Sequence, residues 1–245
     1  MSPPLTQTRL AIDIGGTFTD VVLETAAGRL ATKKVLTTPR APEEGVMQGT
    51  LALLAEAGVA LSAIDVLVHG TTLATNAIIE RKGATTALIA TEGFRDVLDI
   101  AYESRYDQYD IFIEKPVSLV PRARRFTVPE RVDVEGRVLL PLDEAAAAAL
   151  PAKLKAASIE SVAVSLLHSY ANPDHERRLR EILAKAAPGL AITLSSEVCP
   201  EVREYERTST AVANAYVQPL MAGYLGRLDR SLKEAGFRGA VYLMT

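Results

Sequence analysis

The run Asp13-Ile14-Gly15-Gly16-Thr17-Phe18-Thr19-Asp20 carries the residue types that phosphate chemistry requires. A carboxylate ends a strand-like segment, two glycines make the turn, and hydroxyls follow. Gly15 and Gly16 can take positive φ and carry no side chain, so the turn can bring backbone N–H groups against phosphate oxygens. Thr17 and Thr19 can add hydroxyl donors. Asp13 is placed to hold Mg2+ through water, since that cation keeps several waters beside one or two carboxylates. Asp20 is a second candidate, or a residue that orders the turn. The competing reading is a plain Gly-Gly hairpin with a Thr-rich second strand. A Walker A loop is excluded because no Gly-Lys-Ser/Thr follows. The dinucleotide fingerprint is excluded because that turn must open a helix, and strand formers follow this one.

A second polar group begins at His69, which ends a strand-like run. Gly70, Thr71 and Thr72 then lead into a helix whose first N–H groups can point at an anion or a carbonyl. His69 is either a substrate contact or proton donor, or a ring that orders the loop by hydrogen bonding. Asn76 and Arg81 are weaker candidates on the same helix, and a solvated helix face explains Arg81 equally well. His168 and His175 have no Cys or carboxylate pattern of metal-ligand spacing around them, so a protein-bound transition metal is not expected. Cys199 is the only cysteine, with neither His nor an activating cation beside it. It reads as a small buried side chain rather than a nucleophile.

These residues need a scaffold, and the hydrophobic pattern supplies one. Arg9 to Ile14 alternates as a strand, Thr19 to Glu24 reads as a second, and a turn at Thr25 to Gly28 leads into a third over Leu30 to Leu36. Helical spacing over Glu43 to Ala57 stops at Gly58. A buried strand over Val66 to His69, a helix from Leu73 to Arg81 and a strand over Thr86 to Ala90 continue the alternation of a layered α/β protein. Tyr102, Tyr106 and Tyr109, followed by Pro116, Pro121, Pro129 and Pro141, mark an inserted, strand-containing loop. Asp143 then caps an Ala-rich helix to Ala157. A strand over Val162 to Leu167, a helix from Pro173 to Ala186 and a strand over Ala191 to Leu194 make a second α/β unit. Glu201 to Gly236 is mostly helical with a bend at Pro219, and Ala240 to Met244 is strand-like. The expected division is a disordered stretch over 1–8, a first lobe over 9–100, the inserted loop over 101–142, and the second unit with its long helix over 143–245.

With 245 residues and 48% hydrophobic content the chain can bury a continuous core. A net charge of -3 with interspersed signs argues against a nucleic-acid partner. No apolar run reaches bilayer length and Met1 to Thr8 lacks a signal-peptide core, which argues against a membrane role. With a single cysteine that suits a reducing compartment, the expected location is the cytoplasm.

Asp13 to Asp20 with its three-strand meander resembles the first phosphate motif of the actin/hexokinase/Hsp70 superfamily, whose fold is ribonuclease H-like. Further along, His69-Gly-Thr-Thr-Leu-Ala-Thr-Asn76 with Glu80-Arg-Lys-Gly83, Leu167-His-Ser-Tyr-Ala-Asn-Pro173, and Glu204-Tyr-Glu-Arg-Thr-Ser209 with Asn214-Ala-Tyr-Val-Gln-Pro219 resemble the hydantoinase A/5-oxoprolinase family. The resemblance implies an actin-like ATPase lobe with a mixed sheet, ATP and Mg2+ as cofactors, and phosphorylation of the carbonyl of a cyclic amide such as hydantoin or 5-oxoproline. It places His69 and Asp13 as catalytic residues. Asp13, Gly15, Gly16, Thr17, Thr19 and Asp20 would hold the nucleotide phosphates, and Gly70, Thr71, Thr72 and Asn76 the substrate. The alternatives are the ATP-using subunit of an acetone or acetophenone carboxylase and a non-catalytic scaffold subunit. The family's second ATP-binding lobe has no counterpart here, so this chain alone is expected to turn nothing over and to need that lobe or a partner subunit in an oligomer. For Tyr205, Arg207 and Thr208 the sequence favours helix start and packing.

Overall fold

The computed structural model describes residues 7–102 and 109–244. Tyr106 and most of the 1–8 stretch lie outside the described residues. In chain order the elements are β1 Arg9–Ile14, β2 Phe18–Glu24, β3 Leu30–Leu36, α1 Pro42–Ala57, β4 Val66–Thr71, α2 Leu73–Ile79, β5 Thr86–Thr91, α3 Val97–Ile100, β6 Arg125–Val128, β7 Arg131–Val132, β8 Val138–Leu140, α4 Glu144–Ala156, β9 Ser161–Ser165, α5 Asp174–Ala186, β10 Ala191–Leu194, α6 Ser195–Val198, α7 Glu204–Glu234 and β11 Ala240–Met244. They form two compact units, Met1–Glu80 with Leu220–Thr245, and Arg81–Pro219.

In the first unit a mixed five-stranded sheet has the order β11-β4-β1-β2-β3. The antiparallel meander of β1, β2 and β3 is as expected, and β4 and β11 add in parallel. Because side chains alternate along a strand, Leu10, Ile12 and Ile14 share one buried face with Val21, Leu23 and Leu67. Val46, Leu53 and Leu54 of α1 pack on that face, as do Tyr224, Leu228 and Leu232, spaced four apart on the last part of α7. Gly58 ends α1 in the left-handed region (φ 68°), where its missing Cβ removes the usual penalty. The opposite face of β1 presents Ala11 and Asp13.

In the second unit β10-β9-β5-β6 is an all-parallel sheet. β5 and β9 are buried at every position, as a sheet covered on both faces requires. Ala147, Leu150 and Leu154 of α4 with Leu179 and Leu183 of α5 pack into one core cluster. Ala211, Val212 and Ala215 of α7 join another with Leu88, Ala90 and Ala163. Asp143 caps α4 by accepting from the Ala146 N–H at 2.9 Å, as expected.

The two compact units divide at Glu80 and Pro219, whereas the sequence pattern sets boundaries at 100 and 143. β5 pairs with β9 and not with the first sheet, so the second unit begins before the expected insertion. The insertion itself contains β6, a strand of that sheet. A strand is expected in the insertion; Arg125 at the start of β6 is buried, with its guanidinium on Asp99 at 2.6 and 2.8 Å and on the Val120 carbonyl at 3.0 Å. α7 continues through Pro219.

Candidate functional site

The β1–β2 hairpin closes with the Gly15 N–H donating to Phe18 O at 2.9 Å. Among the described residues, the amides of Gly16 and Thr17 donate to no protein acceptor, and both residues are exposed. Two adjacent free amides at a turn can form an anion-binding concavity. Neither glycine uses a positive φ. Glycine is required instead by close approach. A Cβ on Gly15 would lie 3.1 Å from Phe18 O, and one on Gly16 would lie 3.3 Å from Asn76 Nδ2.

Register places the acidic residues in a row across the exposed face. Gly70, Asp13, Asp20 and Lys34 stand opposite one another on β4, β1, β2 and β3. Lys34 pairs with Asp20 at 2.8 Å, so Asp20 orders the sheet edge. Asp13 has no ion-pair or hydrogen-bond partner among the described residues and is exposed. A Cβ on Gly70 would come within 3.2 Å of its Oδ1, so the glycine leaves that carboxylate room. A single open carboxylate beside free amides fits a hydrated Mg2+ and a phosphate.

Thr19 does not reach this surface. Its side chain is fully buried and bonded to Thr37 Oγ1 at 3.0 Å, which corrects its assignment as a phosphate ligand. Thr17 is exposed at the turn.

His69 is corrected more sharply. It stands opposite Ile12, one position from the Asp13–Gly70 pair, and alternation therefore turns its ring to the core face, opposite to Asp13. It is fully buried, with Nε2 2.7 Å from the Tyr224 hydroxyl and Nδ1 without a partner among the described residues. Burial lowers its pKa from 6.5, against weaker opposing effects of the Ile12 carbonyl and Asp13. The ring is a neutral core group joining β4 to α7.

The segment after His69 is tied down locally. Thr71 Oγ1 accepts from the Leu73 N–H at 3.1 Å, so the first-turn amide of α2 is already used. Thr72 donates its hydroxyl and its N–H to Ile14 O, each at 3.1 Å. Asn76 donates to Thr72 Oγ1 at 3.3 Å and stands beside Gly16. The structure therefore brings Asp13, Gly16, Thr17, Gly70 and Asn76 to one rim. Arg81 lies outside α2, at φ 57°, and donates to Val117 O at 2.6 Å.

The remaining motif residues build the second unit. Glu176, fully buried, accepts from Leu166 N (2.9 Å), Ser195 Oγ (2.7 Å), Ser196 N (3.0 Å) and Ser196 Oγ (2.7 Å). His168 sits in the left-handed region at φ 56° with Nδ1 2.7 Å from Val132 O, and Asn172 donates to Gly136 O at 3.0 Å. Arg207 is buried and donates to the carbonyls of Glu201, Val202 and Leu166, while Thr208 bonds Ser165 at 2.7 Å. Tyr205 meets Tyr102 edge-on, ring centroids 4.9 Å apart, on the wall of a cavity of about 610 Å3. Cys199 is half-buried. Sequence reasoning missed Thr37, which lies beyond β3 in a polar loop and gives no local signal.

Over residues 9–187 the sequence matches the hydantoinase/oxoprolinase N-terminal region, and the chain belongs to that family. It is 36% identical over 237 residues to the alpha subunit of caprolactamase from Pseudomonas jessenii, a match covering 94% of this chain and 34% of that subunit. It is 33% identical over 267 residues to 5-oxoprolinase of Saccharomyces cerevisiae, covering 93% of this chain and 20% of that protein. Its fold matches the nucleotide-free structure of acetone carboxylase, an ATP-dependent enzyme, with a TM-score of 0.87 at 28% identity, covering 97% of this chain and 36% of that one. The chain thus spans about a third or less of the length of these relatives. No helix among the described residues is long and apolar enough to cross a membrane.

Proposed function

We propose that this chain is the N-terminal, actin-like part of an ATP-dependent enzyme that opens a cyclic amide after phosphorylating its carbonyl oxygen. The observation that carries this reading is the pair of free amides at Gly16 and Thr17 beside the open carboxylate of Asp13. Membership of a family that includes 5-oxoprolinase and caprolactamase supports the substrate class.

ATP would supply the phosphoryl group, and Mg2+ would spread its charge. Within this chain the Gly16 and Thr17 N–H groups would bind phosphate oxygen, and Asp13 would hold the cation. Gly70 keeps the carboxylate clear, and Asn76 flanks the turn. None of these groups needs to move a proton, which is consistent with phosphoryl transfer driven by positioning and charge. His69 contributes from the core by holding β4. The chain would work with the remainder of a longer protein or with partner subunits, since relatives include subunits of caprolactamase and of acetone and acetophenone carboxylases.

The fold match to acetone carboxylase favours one second reading, activation of a ketone for carboxylation. The test is ADP and phosphate release by the full-length protein with its partner subunits and Mg-ATP, offered 5-oxoproline, hydantoin, caprolactam, or acetone with bicarbonate. Stimulation by a cyclic amide supports the main reading, and stimulation by acetone with bicarbonate supports the second. No stimulation by any of them leaves a scaffold subunit and refutes both.

A further inference from the structure

The free amides of the hairpin are aimed by a residue outside it. Thr37 lies 22 residues beyond Gly15, yet its hydroxyl donates to Gly15 O at 3.0 Å. Its N–H donates to Thr17 O at 2.9 Å, so one residue holds the carbonyls at both ends of the turn. The Thr37 oxygen is also 3.0 Å from Thr19 Oγ1. A hydroxyl has one proton to give. Since Thr37 gives its proton to Gly15 O, Thr19 must be the donor in the second bond. The result is a directed chain from the Thr19 hydroxyl to the Thr37 hydroxyl to the Gly15 carbonyl, with its first member fully buried.

The consequence follows from peptide geometry. There are no cis peptides among the described residues, and a planar trans peptide points its C=O and the next N–H in opposite directions. Drawing Gly15 O inward to Thr37 therefore turns the Gly16 N–H outward. Without Thr37 the Gly15–Gly16 peptide, flanked by two residues without Cβ atoms, is free to rotate and present its carbonyl to an anion.

We propose that Thr37 is the positioning residue of the phosphate cradle, holding the Gly15–Gly16 peptide so that its N–H faces the nucleotide phosphates, with Thr19 fixing the direction of the Thr37 hydroxyl. This rests on the reading of Asp13 to Asp20 as the phosphate site.

The test uses the full-length protein with its partner subunits and the variants Thr37→Val, Thr37→Ser and Thr19→Val. Valine keeps the backbone bond and the side-chain shape and removes only the hydroxyl. Thr37→Val is expected to raise the KM for Mg-ATP about tenfold, a factor equal to about 1.4 kcal/mol and the size of one hydrogen bond. Competitive inhibition by adenosine, which has no phosphate, should be unchanged, and Thr37→Ser should restore ATP binding to within about twofold of wild type, keeping the same donor. Thr19→Val should weaken ATP binding less, and the double Val variant should be no worse than Thr37→Val alone, because the two residues act in series. An unchanged KM in Thr37→Val overturns the proposal, as does an equal loss for ATP and adenosine or a Ser variant as impaired as Val. If Thr37→Val does not fold, an unaltered KM in Thr19→Val overturns it by itself. Failure of the underlying reading looks different, because wild type then shows no saturable Mg-ATP binding or Asp13→Asn leaves it intact.

Discussion

Replacing His69 separates a core histidine from a catalytic one. In the folded protein burial holds the imidazole below its usual 6.5, and in the unfolded chain it titrates near that value. Below pH 6.5 the unfolded state therefore binds the extra proton and the folded state does not, so stability is fully present above pH 6.5 and declines as pH falls towards the folded pKa. The loss grows as pH falls below 6.5 and stops once pH has passed the folded pKa. His69→Gln removes the titrating group. Gln can still face the Tyr224 hydroxyl, which otherwise stands 2.7 Å from Nε2. Urea unfolding at pH 7.5 and 5.5 should show the variant less stable than wild type at the higher pH, with a smaller pH-dependent loss. NMR titration of the imidazole should show its midpoint below 6.5. The reasoning is refuted if wild type and His69→Gln lose equal stability between the two pH values, or if the ring titrates near 6.5. It is also refuted if folded His69→Gln loses an acid limb from its kcat/KM profile, the mark of a proton-transfer role.

Asp13→Asn should leave the melting temperature within a degree or two of wild type, on the order of what an exposed residue gives, while Mg-ATP binding falls at least about tenfold by calorimetry. Gly70→Ala places a Cβ 3.2 Å from Asp13 Oδ1 and should raise the Mg2+ concentration needed for half-maximal ATP turnover, which a magnesium titration reads. Glu176→Ala leaves two backbone amides without their acceptor and two serine hydroxyls to find new ones. At about 1–3 kcal/mol for each stranded group, chemical denaturation should show a loss of about 3 kcal/mol or more from the second unit. The same unfolding experiment on Glu176→Gln, which retains one oxygen, should show a smaller loss.

Much of this protein was legible in the sequence because the signals are local. Alternation over Arg9 to Ile14, the Gly-Gly turn and the meander are one- and two-residue patterns with direct backbone consequences, and the strand at Ala240 to Met244 was read the same way. Asp13 and the two glycines could be picked out as a candidate phosphate site because residue type alone suits them to it. Cross-strand register was not legible. Alternation predicts that neighbours face opposite ways, but which of His69 and Gly70 joins Asp13 is decided only by how β4 pairs with β1. That register sets Gly70 on the Asp13 face and buries His69. It likewise takes the sheet geometry to make Thr19 a buried donor and to bring Thr37 onto a carbonyl 22 residues earlier. The boundary of the second unit was hidden for the same reason, since the membership of β5 depends on its partner β9 and the burial of Arg125 on Asp99. The sequence by itself determined which segments form strands and helices and which residue types can bind a phosphate. Tertiary structure decided which of those side chains face solvent, because facing is a property of pairing between distant segments and not of either segment alone.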